Sequence, residues 1–266
     1  MLDMLSLLAC LGCAQAAPVP MPAAPAAVDV ELVLAVDIST SMDEREFALQ
    51  RAGYVEALRH PDFIRAVRAG TNGRIAIAYF EWAGTIRDDA VLAWQIIDGS
   101  DSANMFADRI AARPFRSFRG TSISGALAFG TGLFEQTAFA AERRVIDISG
   151  DGPNNTGPPV TSERDAALAR GIVVNGLPIL ISPSPTFSHL DRYYAQCVTG
   201  GPGSFVLPIY AASEFSTAIR RKLILEVSGI ADTAAVRIDA EPPIDCLQGE
   251  RDRRFYSDPY FPELDR

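Results

Sequence analysis

The chain has 266 residues, of which 48% are hydrophobic and 21% are charged, a composition typical of a globular protein with one large core. Its net charge of −9 and its pI near 4.8 make nucleic acid and anionic membrane surfaces poor partners. Because the chain has only two histidines, histidine-ligated metals and Ser-His-Asp catalysis are also disfavoured.

The N-terminal residues resemble an export signal. Leu5–Leu11 is a short apolar stretch, and Ala14-Gln15-Ala16 has the small-x-small form of a signal peptidase site, although no Lys or Arg precedes the stretch. We therefore expect residues 1–16 to be a signal peptide cleaved after Ala16, and the protein to be periplasmic or secreted. Lipidation at Cys10 is the less favoured alternative, since too few residues precede that cysteine.

An Ala- and Pro-rich segment, residues 17–27, is predicted to be an extended linker. Cleavage would leave two cysteines, Cys197 and Cys246. In an exported protein they most simply form a disulfide that joins the C-terminal tail to the core, with two unpaired cysteines as the alternative. No other stretch approaches the roughly 20 apolar residues of a membrane span.

Apolar strand patterns alternate with helical patterns from Val28 onward. The predicted strands are Val30–Val36, Arg74–Phe80, Ala90–Ile97, Arg144–Ser149, Gly171–Ile181 and Phe205–Ile209, with a hairpin turn at Ile86–Asp89. The predicted helices are Asp43–Arg59, Ala103–Ala111, one from Gly120 to about Gln136, Pro159–Arg170, Leu190–Cys197 and Glu214–Val227. This alternation predicts an α/β, doubly wound, mainly parallel sheet with helices on both faces. We expect one domain over residues 28–228 and a C-terminal tail, 229–266, packed on it.

Oxygen-bearing side chains follow the first strand directly. Asp37, Ser39 and Ser41 are spaced i, i+2, i+4 at the strand end where open α/β sheets bind ligands. One carboxylate and two hydroxyls form a hard-oxygen set that suits Mg²⁺. Ser41 and Glu44 also fit a helix capping box, with Ser41 as N-cap. The two interpretations do not exclude each other.

Two further loops carry oxygen ligands at matching places. Thr121 follows Gly120 at the start of a helix, and Asp151 follows the strand Arg144–Ser149 in a Gly-rich loop. Taken singly, Thr121 is a helix N-cap and Asp151 a turn former. Because strand ends converge at one edge of a doubly wound sheet, both are expected to meet the Asp37 loop.

These residues resemble the von Willebrand factor A (VWFA) domain family over Val28–Ser228. Asp37, Ser39 and Ser41 match its Asp-x-Ser-x-Ser motif, Thr121 its isolated threonine, and Asp151 its aspartate in a Gly-rich loop. The resemblance implies a metal-ion-dependent adhesion site (MIDAS). In such a site the three hydroxyls bind Mg²⁺ directly and the two aspartates act largely through waters. Mn²⁺ or Ca²⁺ are alternative ions.

Two shorter pieces, Gly120–Ser124 and Cys197–Gly203, resemble an exported bacterial branch of the family whose function is unknown. An ion that is only partly neutralised favours an anionic ligand. The sequence therefore predicts a protein-binding module whose metal accepts a carboxylate from an unidentified partner, not an enzyme. One alternative is a metal-assisted phosphoesterase, although Ser39 stands where aspartyl phosphatases carry a second acid. Another is a structural envelope protein with a stabilising metal.

The segment Arg113–Arg119 holds three arginines and two phenylalanines close to the predicted site. Such a segment would suit an acidic partner with an apolar anchor. A solvated loop whose phenylalanines cover the core explains the composition equally well.

Overall fold

The computed structural model describes residues 25–182, 187–229 and 243–256. Its strands are β1 (Ala26–Asp37), β2 (Ile75–Trp82), β3 (Ile86–Ile97), β4 (Phe139–Gly150) and β5 (Ile172–Pro178). Its helices are α1 (Glu44–Arg59), α2 (Pro61–Arg68), α3 (Ser100–Ala111), α4 (Ile123–Leu133), α5 (Val160–Ala169), α6 (Leu190–Tyr193), α7 (Phe215–Ser228) and α8 (Gln248–Tyr256). The predicted signal peptide lies outside the described residues, and β1 begins two residues inside the predicted linker.

The strands form one sheet in the order β3-β2-β1-β4-β5. Strands β2, β1, β4 and β5 run parallel, and β3 pairs antiparallel with β2 at one edge. The predicted α/β fold with a mainly parallel sheet is confirmed. In the register of the sheet Asp37 pairs with Trp82 and Val36 with Ser149, so β1, β2 and β4 end at the same edge.

Apolar side chains cover both faces of the sheet. Successive residues of β1 point to opposite faces, so Leu32 and Leu34 pack under α1, α2, α3 and α7. Val33 and Ala35 pack under α4, α5 and α6 on the other face. Strand β1 is therefore buried on both sides, as its nearly uncharged sequence predicts.

Two predicted elements were wrong. The predicted hairpin turn Ile86–Asp89 is the first part of β3, and the chain turns instead at Ala83–Thr85, where the Ala83 N–H donates to the Thr85 carbonyl. The charges of this stretch are exposed on an edge strand, where charged side chains are common. The predicted strand Phe205–Ile209 makes only isolated bridges to Gly176 and Ile179, because Pro208 has no N–H to donate to a ladder.

A disulfide joins Cys197 to Cys246, with their Cα atoms 5.6 Å apart, which is the pairing that the sequence favoured. Residues 243–256 belong to the predicted tail, and within them Ile244 and Cys246 pack against the core on the α4 side of the sheet. Helix α8 was not predicted. Within the described residues no helix is both long and apolar enough to span a bilayer.

Candidate metal centre

Asp37 is the last residue of β1, and its side chain is hydrogen-bonded to the loop that follows. Asp37 is fully buried, and its Oδ1 accepts the Ser39 N–H at 2.7 Å, a turn that aspartate favours. The other oxygen, Oδ2, is buried and has no hydrogen-bond partner among the described residues. A buried carboxylate oxygen without a partner is costly, so this atom calls for a bound cation or water.

A chain of hydrogen bonds joins this loop to the end of β4. The hydroxyls of Ser39 and Ser41 lie 2.8 Å apart, and the Ser41 hydroxyl donates to Asp151 Oδ1 at 2.7 Å. Four of the five predicted ligands, Asp37, Ser39, Ser41 and Asp151, are thus in one cluster.

The predicted capping box with Ser41 as N-cap is wrong. The N-cap of α1 is Asp43, whose Oδ1 accepts the Glu46 N–H at 2.7 Å, while Glu46 Oε2 accepts the Asp43 N–H at 3.2 Å. The box lies two residues later than predicted. Asp43 and Glu46 have the same i, i+3 spacing as Ser41 and Glu44, and both pairs can form a capping box, so the pattern alone does not distinguish them. The Ser41 hydroxyl therefore contributes to the cluster and not to the helix start.

Thr121 lies just before α4 and is bound to the loop that contains Asp151. It is nearly fully buried and is not the helix N-cap, since Ser122 caps α4 by accepting the Gly125 N–H. Its backbone pairs with Asn155: the Thr121 N–H donates to Asn155 Oδ1, and the Asn155 N–H donates to the Thr121 carbonyl, both at 2.9 Å. We call residues 150–158 the Asp151 loop. A Cβ at Gly152, the residue after Asp151, would lie 3.8 Å from the Thr121 hydroxyl, so Thr121 packs against the Asp151 loop.

Glycine at position 150 allows the close approach of the two loops. A Cβ at Gly150 would lie 2.7 Å from Asp37 Oδ2 and 2.8 Å from the Tyr194 hydroxyl, closer than real Cβ contacts. Sequence reasoning used Gly150 only as a loop signal, and it missed Tyr194 because nothing local marks a tyrosine so distant in the chain.

Two acidic side chains and a tyrosine meet at this cluster, and their surroundings disfavour ionisation. Burial, and next the charge of Asp151, raise the pKa of Asp37 well above its usual value. Burial, with a smaller contribution from Glu46, raises the pKa of Asp151 to about 6. The Tyr194 pKa is also raised, first by burial and then by the charge of Asp37. Among the described residues no lysine or arginine pairs with either aspartate. A divalent cation would supply the missing positive charge.

The chemistry of the donors fits a hard cation. Within the described ranges no group of three or more His, Cys, Asp and Glu residues is arranged to hold a metal ion. A site here would therefore use hydroxyls, two carboxylates and water, the ligands that Mg²⁺ accepts readily.

The Arg113–Arg119 segment fits partly the structural interpretation, in which its side chains cover the core, and partly the interpretation as a partner-binding surface. Arg113 pairs with the buried Glu81 at 3.1 Å, and the half-buried Phe118 packs against Ile38, so both are structural. Phe115 is 47% exposed, and its ring meets Phe47 edge to face at 4.9 Å. Only Phe115 of this group is available as an apolar anchor.

Solved structures with the same architecture identify the fold as that of a von Willebrand factor type A domain. A von Willebrand factor type A protein from Catenulispora acidiphila aligns with a TM-score of 0.54 and 14% identity over 76% of this chain and 43% of that chain. The vWF domain of a type V pilus tip protein from Porphyromonas gingivalis aligns with a TM-score of 0.54 and 10% identity over 79% of this chain and 98% of that chain.

Proximal thread matrix protein 1 from the mussel byssus, solved with a zinc-occupied MIDAS motif, aligns with a TM-score of 0.52 and 15% identity. That alignment covers 77% of this chain and 50% of the other, so this chain spans about half of the byssus protein. The chain belongs to the family described as "Protein of unknown function (DUF1194)", whose model matches residues 27–231. No curated protein matches the sequence.

Proposed function

We propose that this chain is an exported, divalent-metal-dependent protein-binding module of the adhesion type. Asp37, Ser39, Ser41, Thr121 and Asp151 would hold Mg²⁺, with Mn²⁺ or Ca²⁺ as substitutes. The observation that carries the proposal is the buried Oδ2 of Asp37, which has no hydrogen-bond partner in the described ranges and lies near a second carboxylate, that of Asp151. A cation beside the buried Asp37 and the partly buried Asp151 would favour the anionic form of both carboxylates.

The ligand chemistry favours binding over catalysis. Bound at three neutral hydroxyls, the ion would keep an electropositive face and exchangeable water. A glutamate or aspartate from a partner protein can replace that water. Ser39 occupies the position where a phosphatase would need a second acid, which counts against phosphate ester hydrolysis.

Two further features support a protein partner and an extracytoplasmic site. The exposed ring of Phe115 lies on Phe47, which itself packs with Ile38 of the metal loop, so an apolar contact is available next to the carboxylate position. The Cys197–Cys246 disulfide favours an oxidising compartment, in agreement with the export signal expected at residues 1–16. The chain would then belong to an exported bacterial branch of the VWFA fold.

Calorimetric titration of Mg²⁺ and Mn²⁺ into the metal-stripped protein tests the proposal. We expect saturable binding at one site, and we expect Thr121→Ala to abolish or strongly weaken it. The matched control is Thr40→Ala, which removes an exposed hydroxyl from the same loop, between Ser39 and Ser41, and should bind as the wild type does.

Repeating the titration with millimolar acetate or a Glu-containing peptide tests the partner chemistry. If the metal accepts a carboxylate, either additive should tighten the apparent metal affinity of the wild type and leave Thr121→Ala unchanged. A folded wild-type protein that binds neither ion, with or without carboxylate, would contradict the proposed function.

A further inference from the structure

The described part of the C-terminal segment is fastened to the core next to the candidate metal centre. We call residues 243–250 the strap. Cys246 is bonded to Cys197, and the Ile244 N–H donates to Gln196 Oε1 at 2.8 Å. Cys197 is fully buried, and Ile244 and Cys246 pack on the core beside it. The base of the strap is thus held by one covalent bond and by apolar contacts.

Beyond the disulfide the strap reaches the Asp151 loop. Glu250 Oε1 accepts the Asn154 side-chain N–H at 2.7 Å. One residue earlier, Gly249 lies so close that a Cβ there would overlap the Asn154 carbonyl oxygen. Only glycine allows this approach. The hydrogen bond is charge-assisted, and such bonds are roughly twice as strong as those between neutral groups.

Asn154 transmits this contact to the predicted ligands. It is fully buried. Its side-chain Oδ1 accepts the Ser124 backbone N–H at 2.9 Å, and its own backbone N–H donates to the Tyr193 hydroxyl at 3.1 Å. It lies three residues after Asp151, and Ser124 lies three residues after Thr121. The strap, the Asp151 loop and the start of α4 are therefore linked through one amide side chain.

We propose that the strap holds the Asp151 loop in its metal-binding conformation, so that metal affinity depends on Glu250 and on the Cys197–Cys246 disulfide. This inference rests on the proposed function. Glu250 and Asn154 are positioning residues, since neither is among the predicted ligands. Without the strap, the Asn154 amide keeps the Pro158 carbonyl as an acceptor at 3.1 Å but loses its charged acceptor, and the loop would sample other conformations before binding. Groups that hydrogen-bond a metal ligand directly typically contribute about 10–100-fold to affinity, and Glu250 acts one contact further from the ligands, so we expect an effect at the lower end of that range.

Mn²⁺ titration of the full chain tests the inference through Glu250. We expect Glu250→Ala to weaken Mn²⁺ binding by about tenfold. Glu250→Gln keeps an oxygen acceptor for Asn154 and should largely restore the affinity. The matched control on the strap is Leu247→Ala, because the Leu247 side chain is exposed and its loss should not change the affinity. Equal Mn²⁺ affinities in wild type and Glu250→Ala would overturn the inference.

The disulfide is tested with the double variant Cys197→Ser/Cys246→Ser, for which we expect a similar loss of Mn²⁺ affinity. Removing a disulfide can unfold a protein, so far-UV circular dichroism must first show that this variant is folded. If it is unfolded, the reduced wild-type chain, with native circular dichroism, serves in its place. A folded protein without the disulfide that keeps full Mn²⁺ affinity would overturn the disulfide's part in the inference.

Amide hydrogen exchange in chelator separates this inference from the proposed function. The amides of Ser124 and Asn155 are hydrogen-bonded to Asn154 Oδ1 and to the Thr121 carbonyl, and they should exchange about tenfold faster in Glu250→Ala than in wild type. Unchanged exchange would show that the strap does not hold the loop. A wild type that binds no Mn²⁺ would instead overturn the proposed function, and with it the metal dependence stated here.

Discussion

The Lys222 ammonium lies 2.7 Å from Asp147 Oδ1, and both side chains are fully buried between α7 and β4. Glu226 also contacts this ammonium, and the Tyr54 hydroxyl donates to Asp147 Oδ2 at 3.4 Å. Lys222 is therefore the shared cation of two carboxylates, and it fixes α7 to the strand that leads to the candidate metal centre.

Lys222→Met should destabilise the protein strongly, because it leaves two buried carboxylates without a cation. Breaking a buried ion pair from one side costs about 3–5 kcal/mol. Urea denaturation should show that loss in the free energy of unfolding. Adding Asp147→Asn and Glu226→Gln to Lys222→Met should recover much of it, since the charges are then removed together. A triple variant no more stable than Lys222→Met would contradict this account.

The same cluster predicts a pH dependence. Burial, and next the charge of Asp147, raise the pKa of Glu226 to about 7, although Lys222 acts in the opposite direction. The folded state thus holds a proton that the unfolded state releases near pH 4.5. The free energy of unfolding of the metal-free protein should therefore fall as pH rises from about 5 to 7. Glu226→Gln cannot titrate, so its slope over this interval should be smaller than that of the wild type.

The sequence predicts the sheet well, and four of the five candidate ligands lie in one hydrogen-bonded cluster, because the signals for the strands and for these residues are local. A short uncharged run indicates a buried strand, and the Asp-x-Ser-x-Ser spacing follows the end of β1 directly. The errors came where local signals are ambiguous. The charges of Ile86–Asp89 suit a turn and an exposed edge strand equally, and two neighbouring residue sets can form a capping box at α1.

Residues that act through tertiary contacts were not predictable. Tyr194 lies in a segment with no motif, and Asn154 lies in the Asp151 loop without being one of its motif residues; the importance of both comes from packing against Gly150 and Gly249. In the sequence, nothing distinguishes Gly249 from the other residues of a polar tail. Its role depends on how the disulfide places the strap, and no periodicity or spacing in the sequence encodes that placement.

Gly150→Ala should damage the candidate metal centre while leaving the sheet intact. The added methyl group would lie 2.7 Å from Asp37 Oδ2, so Asp37 or the Asp151 loop must move. Such overpacking costs about 1–3 kcal/mol in the free energy of unfolding, and the displaced carboxylate should bind Mn²⁺ more weakly. Gly132→Ala is the matched control, because a Cβ at Gly132 meets no atom within 4 Å. Equal Mn²⁺ affinity in Gly150→Ala and wild type would contradict the predicted contact.

We expect Asp37→Asn to be more stable than the wild type in chelator and less stable than the wild type when metal is added. In chelator the variant removes a buried charge whose ionisation is disfavoured by burial and by Asp151, so it should be more stable than the wild type by about 1–3 kcal/mol. An ion that binds only the folded wild type adds about 2.7 kcal/mol at a concentration of 100 times its Kd. Asp37→Asn should gain little, because its amide cannot balance the ion's charge.

Thermal unfolding of both proteins in EDTA and in Mn²⁺ measures this reversal. Ser162→Ala removes an exposed hydroxyl of α5 that donates to the Pro159 carbonyl, and this variant should gain the same stability from Mn²⁺ as the wild type does. If Asp37→Asn is less stable than the wild type in EDTA, the Asp37 carboxylate contributes to the metal-free fold through contacts that outweigh its burial. If Mn²⁺ stabilises both proteins equally, the ion binds elsewhere and Asp37 is not part of its site.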